Sequence, residues 1–221
     1  MVVDVSDFAT FVFDQLPPPP GRVLEVGCGR EGGLVDALKG RGYEVLGVDP
    51  AAPEGGAFLR TTFQDARDTL SGEFWDAVVA GRVLHHVNPL DEGLDLLASL
   101  APLLLVDEFA WNRIDAAAQD WYERQHALLH AAGAEPYGPR DLDEWRVRHP
   151  GLHPHTVLLE GLRARYEERA LEWVPYFHRW LNGPAGEALE QTLVDAGAIP
   201  AIGYRWAGAS TSTTRSSARS R

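Results

Sequence analysis

The sequence has one cysteine and one methionine, and Lys39 is the only lysine among its 20 basic residues. With Cys28 the only thiol, an intrachain disulfide and a cysteine-built zinc cluster are both excluded. Positive charge is scarce. Set against 32 acidic residues, it leaves a formal net charge of -12. A chain that grips nucleic acid without regard to sequence needs a basic face against the phosphates, and an anionic membrane surface makes the same demand. Neither partner is expected here. Long apolar runs are also missing: none approaches the roughly 20 residues that a membrane-spanning helix requires. The first residues, Met1 to Asp7, are acidic and lack the basic start of a secretory signal. The cytoplasm is the expected compartment.

What the chain does have is enough apolar material for a core, 45% of 221 residues, and a length that suits one α/β domain. Phe8, Phe11, Val12 and Leu16 fall on one face of a short helix over 7–16, which Pro17 to Pro20 stop. Strands are then expected at 22–26, 43–48, 58–62, 76–80 and 103–106, with helices between them at 33–39 and from Asn88, which caps a helix with Pro89 in its first position. Beyond Asp107 the pattern changes. Helices are expected at 115–132, 156–168 and 185–196, an irregular stretch at 133–155, a strand at 170–174 and a closing strand at 199–206. Such alternation predicts a parallel sheet with helices on both faces and right-handed crossovers. The domain is expected to span 1–207, with 108–168 as substrate cover. The Ser/Thr/Arg-rich end, 208–221, is expected to be a disordered tail.

Chemistry concentrates in Val23-Leu24-Glu25-Val26-Gly27-Cys28-Gly29-Arg30-Glu31-Gly32, a strand entering a Gly-x-Gly-x-x-Gly turn before a helix. Glycines there let backbone approach a ligand closely, but nicotinamide and flavin sites use the same turn. Glu25, two residues ahead of Gly27, would repel a diphosphate lying over this loop and suits a cationic group instead. Asp49 ends the second strand about 20 residues on, where a carboxylate accepts hydrogen bonds from ribose hydroxyls. Asp65, in Gln64-Asp65-Ala66, follows the third strand, and Gly81-Arg82-Val83-Leu84-His85-His86-Val87 the fourth.

This series resembles the class I, Rossmann-like methyltransferases that use S-adenosylmethionine (SAM), in particular their small-molecule (type 11/25-like) branch, with a Leu-His-His-Val stretch after strand four. The resemblance covers 22–106 and, more loosely, 196–206, and it implies a Rossmann-like three-layer sandwich around a mostly parallel seven-stranded sheet with an antiparallel closing strand. It implies that Glu25, Gly27, Cys28 and Gly29 line the methionine end of SAM and that Asp49, with Pro50 beside it, binds ribose. Asp65 and Ala66 would flank adenine, and Gly81 and Arg82 would close over the methionine moiety. Arg82 departs from the small or polar residue many relatives carry. The reaction implied is direct displacement onto an O, N, C or S atom of a small-molecule acceptor.

For catalysis the candidates are His86, the side-chain type most easily tuned near neutrality, and Glu108, just past strand five. Relatives carry the His85-His86 pair whatever they methylate, which suggests a packing or pocket-wall role as the alternative. Glu108 has a loop carboxylate as its alternative. His126 and His130 share a helical face but no third ligand is placed, so no metal is expected. Trp121 and Tyr122 wall an acceptor pocket or form plain core. Two rival functions remain. A nicotinamide-dependent oxidoreductase conflicts with Glu25 and with the absence of a Tyr-x-x-x-Lys pair. A SAM-binding protein without catalysis fits as well, because methyl transfer has no obligatory catalytic side chain.

Overall fold

A computed structural model describes residues 5–210. In chain order the elements are α1 (Val5–Gln15), β1 (Arg22–Val26), α2 (Val35–Gly40), β2 (Glu44–Val48), β3 (Phe58–Leu59), α3 (Arg67–Ser71), β4 (Ala77–Gly81), α4 (Leu90–Leu100), β5 (Leu103–Phe109), α5 (Ala116–Ala131), α6 (Leu142–Arg148), α7 (His155–Arg163), β6 (Tyr166–Val174), α8 (His178–Leu181), α9 (Pro184–Asp195) and β7 (Gly203–Ser210). The seven strands form one sheet in the order β3-β2-β1-β4-β5-β7-β6. β1 to β5 pair in parallel, and β7 runs antiparallel to both its neighbours.

The central strands are apolar because helices cover both faces, which leaves no wet side for polar alternation. Leu24 of β1 stands in register between Leu46 and Val78. One face packs Val26, Val78, Leu104 and Trp206 under α3, α4 and α7. The other packs Val23, Val79 and Leu105 under α1 and α2. A third cluster, centred on Phe109, Tyr122 and Phe177, lies beyond the carboxyl ends of the strands and joins α5 and α8. Chain order reverses between β1 and β4, and at such a switch point the strand ends diverge to leave a crevice.

Several boundaries differ from those expected, each for a local reason. β5 continues three residues past Val106, since Asp107, Glu108 and Phe109 pair with Arg205, Tyr204 and Gly203. Their charges hid the strand. Within the expected irregular stretch, Asp141 caps α6 by accepting from Glu144 N–H at 2.8 Å. The helix expected over 156–168 ends at Arg163, and β6 begins at Tyr166. Asn88 does not cap α4: Pro89 holds the cap position, and the Asn88 amide donates to His86 O. The cover expected over 108–168 is also redrawn. α7 packs Leu158, Leu159 and Leu162 into the sheet core, while α8 joins the cover from outside that stretch.

The domain does not end at 207. Gly208, Ala209 and Ser210 continue β7, pairing with β5 and β6, and Ser210 N–H donates to Pro102 O at 2.7 Å. The remainder of the expected tail, 211–221, lies outside the described residues, as do residues 1–4. A chain ending at Ala207 loses strand bonds on both edges, each worth about 1 kcal/mol net. It should unfold at lower urea than a chain ending at Ser210; equal midpoints would show that these three residues add nothing.

Candidate functional site

Two cavities open at the carboxyl ends of the strands. The first, of about 800 Å³, is lined by Glu25, Gly27, Cys28, Gly29, Gly81 and Arg82 of the expected set, together with Phe8, Arg30, Glu31, Gly33, Leu34, Asp107 and Tyr137. Its floor is the turn after β1. Gly29 has φ +64° and nothing within 4 Å of where a Cβ would stand, so its backbone faces open space. Gly33 is needed for the opposite reason: a Cβ there would fall 2.0 Å from Glu25 Oε1. That contact explains why a fourth glycine follows the motif.

Glu25 is buried, and both its oxygens accept from Leu34 N–H, at 2.9 and 2.8 Å. The carboxylate thus ties β1 to the first turn of α2 while bordering the cavity. Burial pushes its pKa up to about 7, against the pull of those N–H groups and of Arg82. Cys28 turns its sulfur toward Gly47, so its backbone is what it offers the cavity. Burial, helped by the charges of Glu25 and Asp49, pushes its thiol up to about 12, and it stays protonated.

The other expected cofactor residues do not line this wall. Asp49 follows β2, its Oδ1 accepting from Ala51 N–H at 2.7 Å, and no partner of Oδ2 is found among the described residues. Pro50 is exposed beside it. Asp65 is exposed and accepts from the Thr62 hydroxyl at 2.7 Å. Ala66 is core: its methyl is buried, its N–H donates to Thr62 O and its carbonyl accepts from Leu70 N–H.

The second cavity, of about 430 Å³, adjoins the first through shared Arg82 and Tyr137. Its walls are mainly aromatic. Phe109 and Tyr176 stack at 4.3 Å, with Trp180 edge-on to both and Trp145 tilted against Phe109. His85, His86, His149 and Arg179 complete the wall. Trp121 and Tyr122 belong instead to the supporting cluster, where the Tyr122 hydroxyl donates to Pro139 O and steadies the loop that carries Tyr137.

Between the cavities lies a buried charge pair that the sequence did not announce. Asp107 accepts from Arg179 Nη1 at 2.7 Å and Nη2 at 3.3 Å, and Arg82 Nε stands 3.8 Å away. Burial alone would raise the Asp107 pKa, but Arg179, Arg82 and Arg205 together hold it below the usual carboxylate range. Arg82 itself has φ 54°, the only positive value outside glycine among the described residues, and its N–H donates to Asp107 O. That left-handed backbone aims the side chain along the boundary.

Glu108 is wholly buried. Its Oε1 accepts from Leu84 N–H at 2.6 Å and His85 N–H at 3.3 Å, and its Oε2 from His85 Nδ1 at 2.6 Å and Phe109 N–H at 2.8 Å. Four donors occupy a carboxylate's four acceptor positions. Glu108 cannot also take an acceptor's proton, because no lone pair and no exposed surface remain. His86 is exposed at the rim of this cavity, yet partial desolvation there and the adjacent His85 lower its pKa to about 4, so it is neutral at pH 7. Among the described residues no group of three or more His, Cys, Asp or Glu is placed to hold a metal, and no helix is long and apolar enough to cross a membrane.

A family model described as "Methyltransferase domain" matches residues 4–197. Solved structures are similar in fold. A putative S-adenosylmethionine-dependent methyltransferase from Listeria monocytogenes is 13% identical with a TM-score of 0.59, covering 96% of this chain and 100% of its own. An S-adenosylmethionine-dependent methyltransferase from Mesorhizobium loti is 16% identical with a TM-score of 0.53, covering 90% and 96%. A cyclopropane-fatty-acyl-phospholipid synthase-like protein from Lactobacillus casei is 15% identical with a TM-score of 0.53, covering 93% and 90%. A search of the curated proteins returns no match.

The raised pKa of Glu25 makes a prediction for the ligand-free protein. A carboxyl raised by the fold contributes stability fully present below its unfolded value, near 4.5, and lost as pH rises through about 7. Glu25→Gln removes this titration. Urea midpoints should decline between about pH 5 and 7.5 more steeply in the parent than in the variant; parallel slopes would place the titration elsewhere.

Proposed function

Because the chain belongs to the methyltransferase-domain family and is a SAM-dependent enzyme, we propose that it methylates a small planar acceptor held in the aromatic cavity, with SAM in the cavity beside it. One observation carries this reading: two cavities of the size of small-ligand sites meet at Arg82, one floored by glycine backbone and the other walled by rings.

The residues present suit SAM. The open space over Gly29 admits a ligand against bare backbone. The methionine end brings an ammonium and a carboxylate, and Glu25 and Arg82 border the cavity with the opposite charges. On this reading the Asp49 carboxylate, which accepts only from Ala51 N–H among the described residues, would accept from ribose hydroxyls, and Asp65 from the adenine amine, both from outside the cavity wall. SAM supplies a methyl group already activated on a sulfonium, so the chain's own work is binding, orientation and exclusion of water. Phe109, Tyr176 and Trp180 offer ring faces and edges to a flat acceptor, and the Arg179–Asp107 pair fixes the wall from which they project. A cavity of about 430 Å³ walled on several sides suits a small molecule better than a nucleic acid or a protein side chain on its backbone.

SAM and S-adenosylhomocysteine should raise the melting temperature while NAD and NADP leave it unchanged, since only a ligand of the folded state stabilises it. Asp49→Ala should weaken SAM binding about ten-fold or more, roughly 1.5–3 kcal/mol for hydrogen bonds to a charged group, while loss of the bond from Ala51 N–H lowers the stability of the free protein by only about 1 kcal/mol. Calorimetry giving unchanged affinity would move the ribose elsewhere. With methyl-tritiated SAM, label should pass to aromatic members of a metabolite panel. Label on tRNA or protein alone would overturn the small acceptor.

A further inference from the structure

The aromatic cavity contains one polar arrangement that acceptor binding alone does not require. His85 lines it, yet only 5% of the residue is exposed. Its Nδ1 lies 2.6 Å from Glu108 Oε2, and Glu108 is fully buried. An ionised carboxylate only accepts, so Nδ1 carries the proton and donates it. The tautomer is thereby fixed with the lone pair on Nε2, at the ring edge opposite Glu108, where the residue borders the cavity.

We propose that His85, oriented by Glu108, is the general base of the transfer and that the acceptor is a ring hydroxyl, phenol or enol, methylated on oxygen. This rests on the reading of the aromatic cavity as the acceptor site. A thiol ionises readily, and an amine attacks through its own lone pair; neither needs a base during transfer. A ring hydroxyl is poorly nucleophilic until its proton, of pKa about 10, begins to leave. In the balanced step the acceptor O–H bond breaks and its proton passes to His85 Nε2. The oxygen's electron pair forms the new C–O bond, and the S–C pair stays on sulfur. The imidazolium that results is stabilised by Glu108, which remains ionised. His86, with its ring centre 4.1 Å from that of His85, is the other candidate on this wall, but among the described residues no carboxylate hydrogen-bonds its ring.

Other charged or titratable groups meet His85 from each side. His86 adjoins it on the same turn, and Glu108 faces it from β5. Arg82, His149 and Arg179 line the same cavity, and Tyr176, held neutral by a pKa pushed up to about 12, faces it from beyond β6. None of the cavity groups replaces Glu108 at Nδ1.

The test compares two phenols with methyl-tritiated SAM at pH 8: 4-methoxyphenol, which holds its proton, and 4-nitrophenol, which is largely ionised. The parent protein should methylate both. His85→Gln should lower kcat on 4-methoxyphenol about a hundredfold or more, but kcat on 4-nitrophenol less than tenfold, with KM little changed. Its residual rate on 4-methoxyphenol should climb with pH as the phenol itself ionises, where the parent rate levels off. Equal losses on both phenols, or none, would overturn the base. Two readouts stand apart from turnover. Nitrogen-15 spectra of the free protein should show His85 protonated at Nδ1 and bare at Nε2, and the reverse would overturn the assignment. Tryptophan quenching by 4-methoxyphenol, with S-adenosylhomocysteine present and weakened in Trp180→Ala, reports the cavity. Quenching without methylation of either phenol sinks the base and the hydroxyl acceptor but spares the aromatic site; no quenching sinks both.

Discussion

The hydrogen bonds received by Glu108 hold the two halves of the site together. The carboxylate projects from β5 and accepts the backbone of the turn after β4, together with the ring of His85 and its own neighbour Phe109. Removing an ion from water costs several kcal/mol, and only a full set of donors offsets it. The turn must therefore fold back so that Leu84, His85 and Phe109 converge. In doing so it places Arg82 at the mouth of the first cavity and His85 in the wall of the second.

The same device recurs twice. Glu25 gathers the start of α2, and Glu190, also wholly buried, accepts from Tyr176, Phe177 and His178 N–H to fix the start of α8. Each carboxylate satisfies backbone donors that would otherwise be stranded at a turn without water. Each also carries a cavity wall: Glu25 the glycine floor, Glu190 the segment bearing Tyr176, Arg179 and Trp180. Electrostatics and placement are thus one matter here. The Arg179–Asp107 pair extends this, bridging α8 to β5 over 72 residues of chain.

What the sequence made legible follows from sequence distance. Strand one stands at 22–26 as expected, and the glycine turn and the parallel direction of β1 to β5 are readable, because apolar runs and turn glycines are local signals; the strand order is not. Asp107 to Phe109 misled, since two charges at a strand end look like a loop until partners on β7 and α8 neutralise or bury them. Glu108 looked like a free acid for that same reason. Ala66 packs in the core under the sheet, a burial that its sequence neighbours do not encode. His85 and His86 are adjacent and identical in type; only the carboxylate 23 residues away distinguishes them.

That division has a physical consequence for specificity. The first cavity draws heavily on one continuous turn and the strand ends beside it, so a short local pattern suffices to build much of it. The second cavity draws on His85, Phe109, Trp145, Tyr176 and Trp180, which come from separate elements and meet only when the cover docks. A change in any cover element reshapes this cavity without touching the glycine floor, as loops on a fixed scaffold permit. Structures only 13–16% identical to this chain share its fold on that basis. If the acceptor sits in the second cavity as proposed, its choice falls to the ring walls and to the tautomer of one histidine, on a sheet that can stay the same.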